Sequence, residues 1–150
     1  MWPMPGADRN SLNNRFCVNL RVYWEDTDAG GVVYYANYLR FLERARTEWL
    51  RALGFSQQDL AAQHGVLFAV TRVQIDYLRP ARLDDELVVT CEPRRVGAAS
   101  VSFAQDIRCI STPGVLAAAE VRIACLDTRS FRPLRMPEFL LSALEAQEKP

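Results

Sequence analysis

Histidine and lysine are almost missing from this sequence: His64 and Lys149 stand alone among 150 residues. Chemistry that needs several imidazoles is excluded, and His64, placed just before Gly65, reads as a helix-end residue that stabilises the dipole or meets solvent. The cysteines are few and scattered. Cys17, Cys91, Cys109 and Cys125 form no CxxC pair and have no neighbouring histidine, which suits neither a zinc site nor a redox motif. They fall in strand-like segments and read as small buried hydrophobes. The N-terminus lacks the basic start and apolar stretch of a signal peptide, and no apolar run reaches membrane-spanning length. A soluble protein of a reducing cytoplasm is therefore expected, without a metal or cofactor and without stable membrane insertion. An excess of one charge is missing too. Lys+Arg and Asp+Glu are both 18, so no global field favours nucleic acid.

What the chain does have is arginine. Arg94, Arg95, Arg108, Arg122, Arg129, Arg132 and Arg135 face only Asp106, Glu120 and Asp127 over the same stretch. A planar guanidinium suits phosphate, although a coding bias toward arginine gives the same count. Hydrophobic residues make up 49%, too many for a disordered chain, and the length is that of one domain. Residues 1–14 read as a disordered lead-in and 15–150 as a single domain.

Phe16, Val18, Leu20, Val22 and Trp24 alternate with their neighbours, the period of a half-buried strand. A helix is expected from about Tyr34. Tyr38, Phe41, Leu42, Ala45, Trp49, Ala52 and Leu53 share one face, widened by Leu39 and Leu50, so a sheet should cover most of it. Gly54 caps its end, and Ser56 starts a short helix that Gly65 closes. From Val66 to Asp127 the pattern is that of strands. The inward phase changes between Val70 and Val73, which predicts a β-bulge near Thr71–Arg72. Leu87–Cys91 reads as a strand, Arg94–Ala99 and Ser111–Gly114 as turns, and residues from Glu138 as a short helix. Short connections between strands imply antiparallel pairing, and one apolar helix on such a sheet gives an α+β fold.

Chemistry concentrates in YWEDTDAGGVVYYANY, residues 23–38. Asp28 precedes two glycines and a helix start, whose unpaired amides and positive dipole end can hold a developing oxyanion. Gly30 and Gly31 allow close approach of a substrate to the backbone. A carboxylate there can act as general base or as nucleophile. By spacing alone an Asp before a helix is far more often an N-cap than a catalytic group, and Glu25-Asp26 reads as a solvated turn.

The segment RVYWEDTDAGGVVYYANYLRFLERARTEWLRALGF resembles the signature of hotdog-fold acyl-CoA thioesterases of the 4-hydroxybenzoyl-CoA-thioesterase-like family. The Tol–Pal-associated (YbgC-type) members are the most similar group, and YLRPARLDDEL at 77–87 matches them as well. The resemblance implies a long helix wrapped by a curved antiparallel sheet and a homodimer, often paired into a homotetramer, with sites at the subunit interface. It implies hydrolysis of an acyl-CoA or acyl-carrier-protein thioester, short-chain or aromatic. Asp28 falls on the catalytic aspartate and Tyr35 on the amide that polarises the carbonyl. Gly30, Gly31, Val32 and Asn37 fall on the surrounding substrate-binding stretch. Tol–Pal-type members usually carry histidine where this chain has Tyr35; hydroxybenzoyl-type members carry tyrosine.

For the phosphates of coenzyme A, the exposed cations best placed are Arg94 and Arg95, in a turn, and Arg132 and Arg135, after the last strand. Glu43 and Glu48 read as helix ion-pair partners of Arg44, Arg46 or Arg51, and Arg46 as a residue that snorkels or pairs. A hydratase of the same fold would want a histidine on or near the long helix, which has none. The alternative is a non-catalytic acyl-binding or interaction module.

Overall fold

A computed structural model describes residues 15–150, so the expected lead-in lies outside the described residues. Five strands, β1 (Phe16–Arg21), β2 (Val66–Tyr77), β3 (Glu86–Val96), β4 (Ser100–Cys109) and β5 (Val115–Asp127), form one antiparallel sheet in the order β1-β3-β4-β5-β2. Helix α1 (Tyr38–Ala52) lies on one face of it; α2 (Gln57–His64) and α3 (Glu138–Glu145) are short. The α+β arrangement expected from the pattern is the one observed.

The apolar face of α1 supplies the centre of the core. Phe41, Leu42, Ala45, Trp49 and Leu50 are buried, with the Trp49 ring edge-on to Phe103 of β4 at 5.2 Å between centroids. Each large apolar side chain withdrawn from water in this way contributes about 1.5–3 kcal/mol. Cover is incomplete on one side. Leu39 of α1 and Val70 and Val73 of the edge strand β2 stay exposed along a groove of about 320 Å³.

Local signals act where expected. Ser56 Oγ accepts the Asp59 N–H at 3.1 Å, and Gly65, at φ 65°, ends α2 in a left-handed conformation that favours glycine. The register of β2 against β5 shifts between Val70 and Arg72, so that Phe68, Val73 and Ile75 all reach the helix side.

Three boundaries differ from the expected ones. The first strand stops at Arg21, and Trp24 stands 84% exposed in a 3-10 turn, Trp24–Asp26. A second 3-10 turn, Tyr35–Asn37, precedes α1, which begins four residues later than expected. Arg94 and Arg95 lie in β3, not in a turn: a register shift between Pro93 and Arg95 lets the strand run on to Val96. Pro93 has no N–H to offer a ladder, which fits the irregularity. No helix among the described residues is long and apolar enough to cross a membrane.

Candidate active site

The loop from β1 to α1 is held down by the segment that follows β2. Val33 N–H donates to the Ala81 carbonyl at 2.8 Å, and Val32 forms an isolated bridge with Arg82. Within the loop, Thr27 bridges to Val33, and Asp28 N–H donates to the Val32 carbonyl at 2.9 Å, closing a tight turn over Asp28–Gly31. Gly31 takes φ 78°, a conformation that favours glycine, and a Cβ on Gly30 would stand 3.2 Å from Asp28 Oδ1, so a side chain there would press on the carboxylate.

Asp28 is exposed. Its Oδ1 accepts the Gly30 N–H at 2.8 Å, and its Oδ2 has no hydrogen-bond partner among the described residues. One oxygen thus orients the carboxylate while the other stays open to a water or an acyl carbon. The 3-10 turn Tyr35–Asn37 follows after Val32, Val33 and Tyr34. Asn37 N–H reaches the Tyr34 carbonyl at 2.8 Å, leaving the N–H groups of Tyr35 and Ala36 without intrahelical acceptors.

Rings flank these amides. Tyr77 Oη donates to the Tyr35 carbonyl at 2.8 Å, and its ring meets Tyr35 and Tyr38 edge-on at 6.5 and 5.2 Å. Tyr38 Oη accepts the Ala81 N–H at 3.0 Å. Burial pushes the Tyr38 phenol up, partly offset by that amide, with the Asp85 and Asp28 charges adding to the rise. These phenols remain protonated donors or acceptors at neutral pH.

Asp26, expected in a solvated turn, is instead only 7% exposed. Its carboxylate accepts the Tyr23 N–H at 2.8 Å and the Asn37 Nδ2–H at 2.9 Å. Asn37 thus ties the 3-10 turn back to the loop before it. The only advance signal was the eleven-residue interval between an acid and an amide, which no local rule reads as contact.

The cations divide. Arg94 and Arg95 share a groove of about 460 Å³ with Arg72 and Arg122, on the sheet face away from α1. Arg72 pairs with Arg122, Arg122 with Ser102 and Ser102 with Arg95, a row across four strands spaced about 4.8 Å apart. Arg94 meets Glu92 and the Pro150 carbonyl, whereas Arg72, Arg95 and Arg122 make no ion pair among the described residues. Arg132 and Arg135 lie apart from that groove, in the exposed loop between β5 and α3. Arg72 and Arg122 were not singled out in the sequence, because their alignment depends on the bulge and on cross-strand register.

Elsewhere, Arg46 donates to Gln105 Oε1 at 3.0 Å, its guanidinium pKa lowered by burial. Glu48 pairs with Arg51, while Glu43 accepts from Thr47 Oγ1 at 2.7 Å and not from an arginine. His64 packs against the Phe139 ring at 4.7 Å, far along the chain from Asp28. Among the described residues no three His, Cys, Asp or Glu side chains converge as metal ligands.

The family model described as the thioesterase-like superfamily matches residues 22–144. The acyl-CoA thioesterase YbgC of Haemophilus influenzae is 45% identical over 132 residues, 88% of this chain and 96% of the relative. A crystal structure of a probable thioesterase from Bartonella henselae shares 35% identity at a TM-score of 0.77, covering 82% of this chain and 99% of that one. A 1,4-dihydroxy-2-naphthoyl-CoA thioesterase from Synechocystis, 23% identical, has the same fold at a TM-score of 0.80, over 91% of this chain and all (100%) of its own. The chain is a hotdog-fold thioesterase of the 4-hydroxybenzoyl-CoA-thioesterase-like family, closely related to the YbgC-type acyl-CoA thioesterases.

Proposed function

We propose that this enzyme hydrolyses the thioester of a short-chain or aromatic acyl group carried on coenzyme A, or on acyl carrier protein, through Asp28. The observation that carries the reading is the divided state of that carboxylate, one oxygen held by the Gly30 N–H and the other open, in the loop that leads into the 3-10 turn Tyr35–Asn37. As general base, Asp28 takes a proton from water while the oxygen adds to the acyl carbon. The charge that builds on the carbonyl oxygen meets the amides at or near Tyr35, and the thiolate leaves with the proton returned by Asp28. As nucleophile, Asp28 itself adds and expels the thiolate, and water then opens the mixed anhydride. Neither route needs the histidine that Tyr35 replaces.

The substrate's acyl portion lies over Gly30, Gly31, Val32 and the tyrosines. Arg94 and Arg95, joined by Arg72 and Arg122, are suited to the phosphates of the coenzyme; Arg132 and Arg135 form a second, separate cationic stretch. The open edge of β2 and its exposed Val70 and Val73 support assembly as a homodimer or dimer of dimers. The four free, buried cysteines suit a cytoplasmic protein.

The test is thiol release from a panel of acyl-CoA thioesters by wild type and Asp28→Asn. A fall of at least about a hundredfold is expected, the scale of a removed general base. An equally active variant would sink the mechanism. Oxygen-18 from solvent entering Asp28 would identify the nucleophilic route.

A further inference from the structure

We infer that Asp26 and Asn37 are a positioning pair that holds the Asp28 turn in register with the amides of the Tyr35–Asn37 turn; the inference rests on Asp28 being the catalytic carboxylate. Residue 26 grips three points of the chain. Its Oδ2 accepts from Tyr23 N–H where the chain leaves β1, its backbone carbonyl accepts from Tyr34 N–H at 2.9 Å, and its Oδ1 accepts from Asn37 Nδ2 at the far end of the 3-10 turn. The Asp28 turn is strung between these points, closed at its base by the Thr27–Val33 bridge. These bonds oppose a shift of the Asp28 backbone relative to the Tyr35 and Ala36 amides.

The chemistry of the pair argues for a geometric role. Asp26 and Asn37 are 7% and 9% exposed, and Asp26 makes no ion pair among the described residues. A buried carboxylate without a cation is a costly way to fill space, and two apolar side chains would pack more favourably. What apolar groups cannot do is fix two N–H donors in direction. Two carboxylates two residues apart thus divide the work: Asp26 faces inward and aligns, Asp28 faces outward and reacts. The demand on alignment is steep, since about 1 Å of misplacement at a reacting group can lower a rate about a hundredfold.

The experiment measures kcat and KM on an acyl-CoA that wild type turns over, for Asn37→Ala, Asp26→Asn and the double variant, each below its melting temperature. Amide hydrogen exchange over residues 28–36 is followed on the same samples. Each single change should lower kcat about tenfold or more with KM held within about twofold, and the double variant should be no worse than the worse single one. Exchange should quicken over 28–36 and not in β3–β5. Unchanged kcat in a folded variant, losses that multiply, or loosening of the whole core would overturn the pair. Should Asp26→Asn not fold, Asn37→Ala carries both readouts. A wild type inert toward every thioester would instead refute the hydrolase reading, and local exchange in Asn37→Ala would still decide whether the pair aligns the turn.

Discussion

Asp26 and Asp28 are separated by one residue and live in opposite circumstances. Asp26 is buried, with both carboxylate oxygens accepting hydrogen bonds; Asp28 is exposed, with one oxygen bonded and one open. The same contrast recurs on the outer sheet face. Near β1, Arg15 bridges Glu92 and Asp106, and Arg108 also meets Asp106. Near β2, Arg72 and Arg122 oppose each other directly, although like charges opposite one another destabilise a sheet. Polar groups satisfied within the chain hold the fold. Those left open at some energetic cost are the groups that the proposed function gives to the substrate.

The sharpest way to break that contrast is to neutralise each aspartate in turn. Asp28→Asn should abolish thioester hydrolysis, at least about a hundredfold, with almost no change in melting temperature, because its carboxylate takes only one bond from the protein. Asp26→Asn should lower unfolding stability by about 1–3 kcal/mol, since one of its buried partners then meets a donor where it had an acceptor. Chemical denaturation together with steady-state kinetics measures both. Equal stability losses in the two variants would erase the distinction.

On the sheet face, Arg72→Ala with Arg122→Ala should raise KM for acyl-CoA about tenfold per lost phosphate contact, and weaken the response of KM to salt. The corresponding acyl N-acetylcysteamine thioester, which has no phosphate, should show no such change. Removing Arg108, on the paired side, should leave KM alone and act through its contact with Asp106. A KM effect that follows the phosphate-free substrate equally would show that the row shapes the fold and not the binding.

How much of this could be read in advance follows from the range of each interaction. The apolar face of α1, the Ser56 cap and the bulge at Thr71–Arg72 depend on residues within a turn or a strand of one another, and all were legible. The Asp28 turn was legible for the same reason: the acid and both glycines lie within four positions. Asp26 was not. Its burial depends on Asn37 and on the chain folding back through Tyr34, and an acidic pair before a loop looks solvated when read alone. The arginine row was half legible, as Arg94 and Arg95 stand together in sequence while Arg72 and Arg122 arrive by register. Arg132 and Arg135, similar in composition, went to another loop.

The smallest expected effect concerns Tyr35, where the sequence departs from the Tol–Pal-type pattern. Tyr35 is 64% exposed, and in the proposed mechanism the position contributes its backbone amide. Tyr35→Phe keeps that backbone and its ring contacts with Tyr34 and Tyr77, so kcat should stay within about threefold of wild type, well under the scale of a lost acid–base group. Tyr77→Phe should cost more than Tyr35→Phe, because it removes the hydroxyl that holds the Tyr35 carbonyl and with it the plane of the Tyr35–Ala36 peptide. If the order is reversed, the Tyr35 phenol itself meets the substrate. The group that meets the thioester carbonyl would then be a side chain in place of an amide.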